Sequence, residues 1–511
     1  MRITNKMMTN NVLTNINGNK NALSKLEQQY STGLKISKPS EDPIIAVRAL
    51  KLRTNLNELN QYYEKNIPDA LSWMDVSESA LGTINEILTQ VHTLCVQGAS
   101  DTLTTDDRNA ILANLKQYKE QIYQEGSSNY AGRYVFTGYK TDTSLVFDEA
   151  TTNLDYNITE NLSGSNISIM SKTINSFDME NYDPANPTAT DFDDQPITVT
   201  AYRMQLSYAD LKSEDEDGTI SIRFPVRNDS GEIERDDDGN IVYDDYTGDI
   251  TMTTSVDAEA YQPDPGSVKF LADTGELIIG EDVYAEWRDL SDISVSYDKS
   301  SFSKNDLRPE HYFDCTVTDM TTEDAEPVVY TKEDQQIQYE INFNQSITVN
   351  TQGSDAIKHE IGRAIDDMMN AISAVVDVET KISDTEKMLE DGNLTNDQKT
   401  ALNQILEVLK IEQKLKTEEM QTKFENGITR IAAQQDVVSV AAADLGSRYN
   451  RVELTESRLS TEQTQFEELL SQNEDADLVN TIINMQSQET IYNASLNAAS
   501  KVVKNSLLDF I

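Results

Sequence analysis

Cysteine is nearly absent from this 511-residue chain: Cys95 and Cys315 stand alone, in segments of different character, which excludes a disulfide framework as the source of stability. Cys95 falls on a helical seam position and reads as a small core residue. Histidine is confined to His92, His311 and His359. His92 and His359 sit on helical stretches as structural residues, and His311 has no serine, cysteine or metal-ligand companion at an informative spacing. With 88 acidic side chains, pairs of carboxylates arise by chance. No enzyme and no cofactor are therefore expected. Long apolar runs are also missing. Nothing approaches the roughly 18 residues of a membrane span, and Met1 to Lys20 lack the apolar core of a cleaved secretory signal. A cytoplasmic location, or export by a route that reads no such signal, follows as the expectation. Of 11 prolines, eight lie from Pro184 to Pro327 and none beyond, leaving the last 184 residues free to be helical.

Charge is abundant and one-sided. The net charge is −46, and residues 151–350 hold 43 acidic against 12 basic side chains, an excess of −31. Such a surface repels nucleic acid and anionic membrane, so neither is expected as a partner. Residues 1–60 run the other way, with nine Lys or Arg against four Asp or Glu.

Helical periodicity covers Pro43 to Gly98, capped by Ser40 and Asp42 with Pro43 in the first turn and kinked at Pro68. Ile45, Ala49, Leu52, Leu56, Leu59 and Tyr63 form its first seam; Leu81, Ile84, Leu88, Val91 and Cys95 continue it. A second helix starts near Thr105 and stops before Gly126, and Gly132 to Gly138 reads as a hairpin. Between about 150 and 350, β-branched and aromatic runs alternate with acidic turns: Ile197–Leu206, Thr219–Val226, Ile241–Tyr243, Leu277–Ile279 and Ile337–Val349. Helical period returns after Gly353, breaks at Asp391-Gly392-Asn393, and then holds four-three steps from Phe424 to Phe466 with polar interruptions that favour a bundle of several helices. The expected fold is α+β and multidomain. A discontinuous long-helix bundle has paired N- and C-terminal coiled-coil segments and an inserted, mainly β outer domain. The layers are residues 1–42 with 470–511, 43–150 with 351–469, and 151–350.

The two ends carry matching apolar stripes. Val12, Ile16, Asn19, Leu23, Leu26 and Tyr30 form one. Leu478, Ile482, Met485, Tyr492, Leu496, Ala499, Val503 and Phe510 form the other, with polar interruptions at Glu489 and Ser506 and Leu507 alongside. These stripes are the expected subunit interface. Seven asparagines within residues 1–21, each about 0.6 kcal/mol worse than alanine in a helix, predict tails that are mobile in the monomer and fold on assembly. Residues Glu234 to Asp245 match the spacing of a calcium-binding loop. Their flanks read as strands, however, and a hairpin at Asp238-Gly239 is the simpler account.

Several motifs then occur in order. Met1-Arg2-Ile3-Thr4-Asn5 opens the chain. Ser31-Thr32-Gly33-Leu34-Lys35-Ile36 precedes Lys38-Pro39-Ser40-Glu41-Asp42-Pro43, and Gly132-Arg133-Tyr134-Val135-Phe136-Thr137-Gly138 follows. Leu445-Gly446-Ser447-Arg448-Tyr449-Asn450-Arg451 and Leu507-Leu508-Asp509-Phe510-Ile511 come last. As an ordered set these resemble the flagellin family, in its hook-associated branch, over about 150 N-terminal and 70 C-terminal residues. The resemblance implies a structural adaptor between hook and filament that assembles through its terminal helices. It implies as partners other copies of the chain, the first hook-associated protein, flagellin and a flagellar export chaperone, and secretion to the flagellum through the export channel without signal cleavage. A filament subunit and a surface-displayed binding module are the alternatives. The β insertion and the stretch 384–425 match nothing in the family pattern. Gln90-Val91-His92-Thr93-Leu94 lacks both arginines of the Arg-Val-Arg-Glu-Leu patch by which an innate immune receptor recognises flagellins.

Overall fold

The structure, a computed structural model, describes residues 5–100, 103–178, 195–228, 232–236, 241–257, 259–322, 325–390 and 394–508. Its helices are α1 (Asn5–Thr32), α2 (Pro43–Gln61), α3 (Ile67–Gly98), α4 (Thr105–Glu125), α5 (Glu281–Trp287), α6 (Gly353–Ala356), α7 (His359–Leu389), α8 (Asn396–Glu474) and α9 (Leu478–Leu508). Its strands are β1 (Asn129–Tyr130), β2 (Arg133–Tyr134), β3 (Leu154–Leu162), β4 (Ile167–Ile174), β5 (Ile197–Gln205), β6 (Ile220–Pro225), β7 (Tyr243–Asp245) and β8 (Asp249–Thr253). They continue with β9 (Ser267–Leu271), β10 (Glu276–Ile279), β11 (Ile293–Lys299), β12 (Asp314–Asp319), β13 (Val328–Tyr330), β14 (Gln338–Asn342) and β15 (Gln345–Thr348). Helices at both ends of the chain and strands in the middle match the expected fold class. Two compact units result: one from Met1–Ala70, Tyr339–Ile347 and Asn450–Ile511, the other from Leu71–Gln338 and Thr348–Tyr449.

In the larger unit, two sheets face each other. One has the order β4-β5-β10-β9-β8, the other β13-β12-β3-β11-β6-β7. Their pairings are antiparallel except β8 with β9. Ile158, Val295 and Tyr297 of the six-stranded sheet meet Met204, Phe270, Leu277 and Ile279 of the five-stranded one in a single core closed by Trp287 of α5. On the other face of the five-stranded sheet, Met170, Ala201 and Ile278 form a second cluster with Tyr261. Because both faces are covered, β10 is buried at every position, which is why Leu277-Ile278-Ile279 reads as a continuous apolar run rather than an alternating one.

The helices of this unit pack through the seams read from the sequence. Leu81, Ile84, Leu88, Val91 and Cys95 are buried on α3, and Phe424, Ile431, Val438 and Leu445 on α8. A Cβ placed on Gly98 would lie 2.2 Å from the Phe424 ring, so the close approach of α3 to α8 requires glycine there. α7 and α8 extend as a hairpin around Val378, Leu402, Ile405 and Leu409, with Phe177 packed alongside. Glu419 and Glu412 of α8 accept hydrogen bonds from the backbone amides of Thr173 (2.9 Å) and Phe177 (3.1 Å), covering an edge of the five-stranded sheet that would otherwise expose its donors.

Three ion-pair contacts meet at Asp367 of α7. Arg203 of β5 grips it with both guanidinium nitrogens at 2.9 and 3.0 Å while also pairing with Glu276 of β10 at 2.8 Å, and Arg430 of α8 reaches its other side at 2.5 Å. Burial by itself would raise the Asp367 pKa. The charges of Arg203, Lys423 and Arg430 overcome that and hold the carboxyl far below its ordinary range.

Glu160 of β3 has the opposite balance. It lies between the sheets, accepting hydrogen bonds from the Ser207 amide (2.9 Å), the Ser207 hydroxyl (3.1 Å) and the Tyr297 hydroxyl. Among the described residues no cation pairs with it, and desolvation pushes its pKa up to about 7 against the pull of those three donors. A carboxyl raised in the folded state takes up a proton on folding, so its contribution is largest below about pH 4.5 and is lost as pH rises to about 7. Burial depresses His311 to about 4 and His359 to about 3, with the opposite sign: their contribution is full above about pH 6.5 and is lost as pH falls. These terms cancel when the chain is compared with a Glu160→Gln variant. Relative to that variant, the chain is expected to lose about 3 kcal/mol between pH 4.5 and 7, read from urea midpoints at the two ends of the window. Equal midpoint differences at both pH values would refute it.

Local differences from the sequence reading have physical causes. The hairpin turns at Ala131-Gly132, with φ of 50° and 81°, rather than around Gly132 to Gly138; a two-residue turn of this kind needs positive φ at both positions. It docks on α3, with Arg133 stacked 5.0 Å from the Trp73 ring centre. The kink expected at Pro68 is a π-turn over Tyr62–Asn66, which absorbs the amide that proline lacks. Asp42 caps α2 through the Ile44 and Ile45 amides at 3.0 and 3.2 Å, without Ser40. The break at 391–393, and residues 237–240 of the calcium-like loop, lie outside the described residues. Arg227 pairs with Ile233 and Arg235 with Ile241 in β-bridges, so the described flanks of that loop are extended. Among the described residues no cluster of three or more metal-ligating side chains forms, and no helix is long and apolar enough to cross a membrane.

Candidate assembly surface

In the smaller unit α1 and α9 lie antiparallel and side by side. Their register is anchored where Asn19 donates from Nδ2 to the Ser495 hydroxyl at 2.8 Å and Gln488 reaches the Asn19 oxygens at 3.4 Å. Where the two helices' chains meet their neighbours, Ala476 donates to Gly33 O and Lys35 to Glu474 O, both at 2.7 Å, bracketing a Leu34–Asp475 bridge. Gly33 takes φ of +71° there, a left-handed conformation that lets the chain leave α1 and pair with the end of α8. Asp477 caps α9 through the Asn480 amide at 3.1 Å, and that hydrogen bond together with the Asn480 side-chain contact lowers its pKa. α2 joins the end of α8 through Arg53–Glu474 (2.6 Å), Asn473 to Ile45 O (3.1 Å) and Gln463 to Asn60 (3.0 Å).

The predicted interface residues separate into two groups. Val12, Ile16, Leu23 and Leu26 of α1, and Ile482, Met485 and Tyr492 of α9, are half-buried. Leu478 and Leu496 are exposed at 47% and 42%. The side chains of Val503 and Leu507, and all of Phe510, lie outside the described residues. The tails, expected to be mobile in the monomer, are helical and paired here. The asparagines that weaken α1 do not all remain liabilities, because Asn19 on the seam finds polar partners on α9. On α9 the covered line runs through Met485, Gln488, Tyr492, Ser495 and Ala499. It shares Met485, Tyr492 and Ala499 with the stripe read from the sequence and leaves Leu478, Glu489 and Leu496 of that stripe exposed.

What this pairing leaves bare is extensive. Among the described residues, 15 of the 26 exposed large apolar side chains belong to this smaller unit, including Met7, Met8 and Leu13 on α1 and Val479, Ile483 and Ile491 on α9. A monomer has no use for apolar side chains on several sides of paired helices, whereas helices that enter a larger bundle need them. The sequence reading missed the exposed face of α2, Ile44, Val47 and Leu50, since a helix buried on one side is ordinarily polar on the other.

Residues 3–141 match the family model described as the bacterial flagellin N-terminal helical region. A flagellin of Clostridium tyrobutyricum is 37% identical over 122 residues, 24% of this chain and 32% of that protein. Flagellar hook-associated protein 3 of Salmonella typhimurium is 31% identical over 152 residues, 30% of this chain and 47% of that protein. The chain thus spans less than half the length of these curated relatives. Among solved structures, flagellar hook associated protein-3 from Legionella pneumophila aligns at 12% identity with a TM-score of 0.32, covering 82% of this chain and 97% of that one.

Proposed function

We propose, for a chain whose residues 3–141 match the family model of the bacterial flagellin N-terminal helical region, that it is a structural component of the flagellum acting as a junction adaptor between hook and filament. Its terminal layer, residues 1–42 with 470–511, docks on the first hook-associated protein on one side and receives flagellin on the other. Other copies of the chain complete the layer. The observation that carries this reading is the paired α1 and α9 with exposed apolar side chains on the faces turned away from each other. Burying those side chains offsets the conformational entropy of ordering the tails, at roughly 1.5 to 3 kcal/mol for each fully covered Leu, Ile, Met or Tyr. Export through the flagellar channel with a chaperone covering α9 accords with a strongly acidic chain holding two buried, unpaired cysteines.

The test adds the full chain to purified hook and filament fragments and inspects the ends by electron microscopy. A short, self-limiting cap that then accepts flagellin is the expected result. Long homopolymers would make the chain a filament subunit. Bare ends would remove both readings and leave the acidic insertion as a displayed binding module.

A further inference from the structure

Two faces of this chain are complementary to each other and are left uncovered. α2 turns Ala46, Ala49 and Leu59 inward. Its other face exposes Ile44, Val47 and Leu50 at 73, 55 and 62%, interleaved with Arg48 and Lys51, which form no ion pair or hydrogen bond among the described residues. The spacing 44, 47, 48, 51 keeps these side chains on one side of the helix. The result is a cationic, apolar ridge.

In the larger unit, an open groove of about 670 Å³ runs between α8 and the segments 334–336 and 348–355. Val437, Val440 and Ala441 form its floor, Val440 being 69% exposed. Asp334, Asp355, Asp436 and Asp444 rim it. Its lining contains a single cation, Arg448, and that guanidinium is already engaged by Asp444 at 2.9 Å and by the carbonyls of Thr348 (3.0 Å) and Asn350 (2.8 Å). Asp355 and Asp436 form no ion pair among the described residues. The groove is therefore an acidic, apolar-lined slot beside a helix.

We propose that the outer face of α2 from one copy of this chain docks in the α8 groove of a second copy, with Ile44, Val47 and Leu50 on the valine floor and Arg48 and Lys51 against Asp355 and Asp436. This rests on the reading that copies of the chain assemble with one another, and it names a surface for that contact distinct from the terminal helix pair. Because ridge and groove are different surfaces, the contact is head-to-tail and leaves a free ridge and a free groove at each step, as a ring or a helical array requires. The opposite charges orient the ridge and exclude the reverse docking of groove on groove.

The test is thiol cross-linking of the full chain, in concentrated solution and on material added to hook or filament ends. The native Cys95 and Cys315 are buried and do not compete. Leu50→Cys and Val440→Cys are both exposed positions, so the variants fold as the parent does, checked by circular dichroism. Mixing the two single variants is expected to give a two-chain band that neither gives alone, and a chain carrying both is expected to give a ladder. Arg48→Glu with Lys51→Glu should lower the yield roughly tenfold, and adding Asp355→Lys with Asp436→Lys to the same chain should restore it. No cross-link in either setting, while the chain still caps filament ends, would overturn this contact and leave the junction reading intact. A ladder without any capping would do the reverse. Cross-linking of Val440→Cys to another flagellar protein but not to Leu50→Cys would also overturn it, by identifying a different occupant.

Discussion

Replacing Asp367 with alanine is expected to cost about 3 to 5 kcal/mol, the largest effect of any single side chain described here. Among the described residues the carboxylate is the only group that Arg203 and Arg430 share, and Arg203 is 7% exposed with its Nε already lacking a partner there. Removing Asp367 leaves Arg203 with Glu276 alone, Arg430 with the neutral Gln205 side chain, and Lys423 with the fields of Glu276 and Glu419. Since the network joins β5, β10, α7 and α8, its loss acts on the attachment of the insertion to the helices as well as on local packing. The urea midpoint of the full chain is the measurement. Arg430→Ala should cost less, because its side chain is 31% exposed and Arg203 still satisfies Asp367. Because the folded Asp367 pKa is depressed, the network's contribution is present above about pH 4 and disappears as pH falls toward strong acid. A midpoint unchanged by Asp367→Ala would mean that the buried charges are neutralised by another route.

Ile482→Asp and Leu496→Asp are expected to abolish assembly by different routes. Ile482 is half-buried in the smaller unit, so a charge there destabilises the terminal pair by about 2 to 3 kcal/mol before any partner is met. Leu496 is 42% exposed in the isolated chain. Its replacement should leave α9 paired with α1, judged by helicity and protease resistance of the tails, and act only when a partner arrives. Both variants should keep the larger unit folded, since no part of α9 belongs to it. Normal capping by Leu496→Asp would remove the outward stripe from the assembly surface. Normal capping by Ile482→Asp would go further, because assembly would then not depend on the pair at all.

How far such results were foreseeable depends on the kind of signal each residue carries. Four-three spacing of Phe424, Ile431, Val438 and Leu445 identified the buried line of α8, because a helical seam writes its period directly into the chain. On α9 the same period covers Ile482, Met485, Tyr492 and Ala499 and leaves Leu478 and Leu496 exposed, because apolar residues occur on several sides and the period fits more than one seam. The contact with α1 also runs through Gln488 and Ser495, polar residues that hydrogen-bond to Asn19. In the insertion, β5, β6 and β10 were legible as runs, whereas β3, β4, β11 and β12 carry many polar residues and gave no clear pattern.

Sequence alone determined the nested order of helices around an acidic β region and the helical boundaries set by Asp42, Pro43 and Gly126. These depend on local propensity, period and composition, which are properties of neighbouring residues. Tertiary structure alone decided that Asp367 collects two arginines from distant segments, that Glu160 is buried with no cation paired to it among the described residues, that α2 keeps an apolar face in water, and that the larger unit carries an acidic groove on α8. Each of those joins or separates residues tens to hundreds of positions apart, and no local pattern records which distant groups the fold brings within a few ångströms or leaves uncovered.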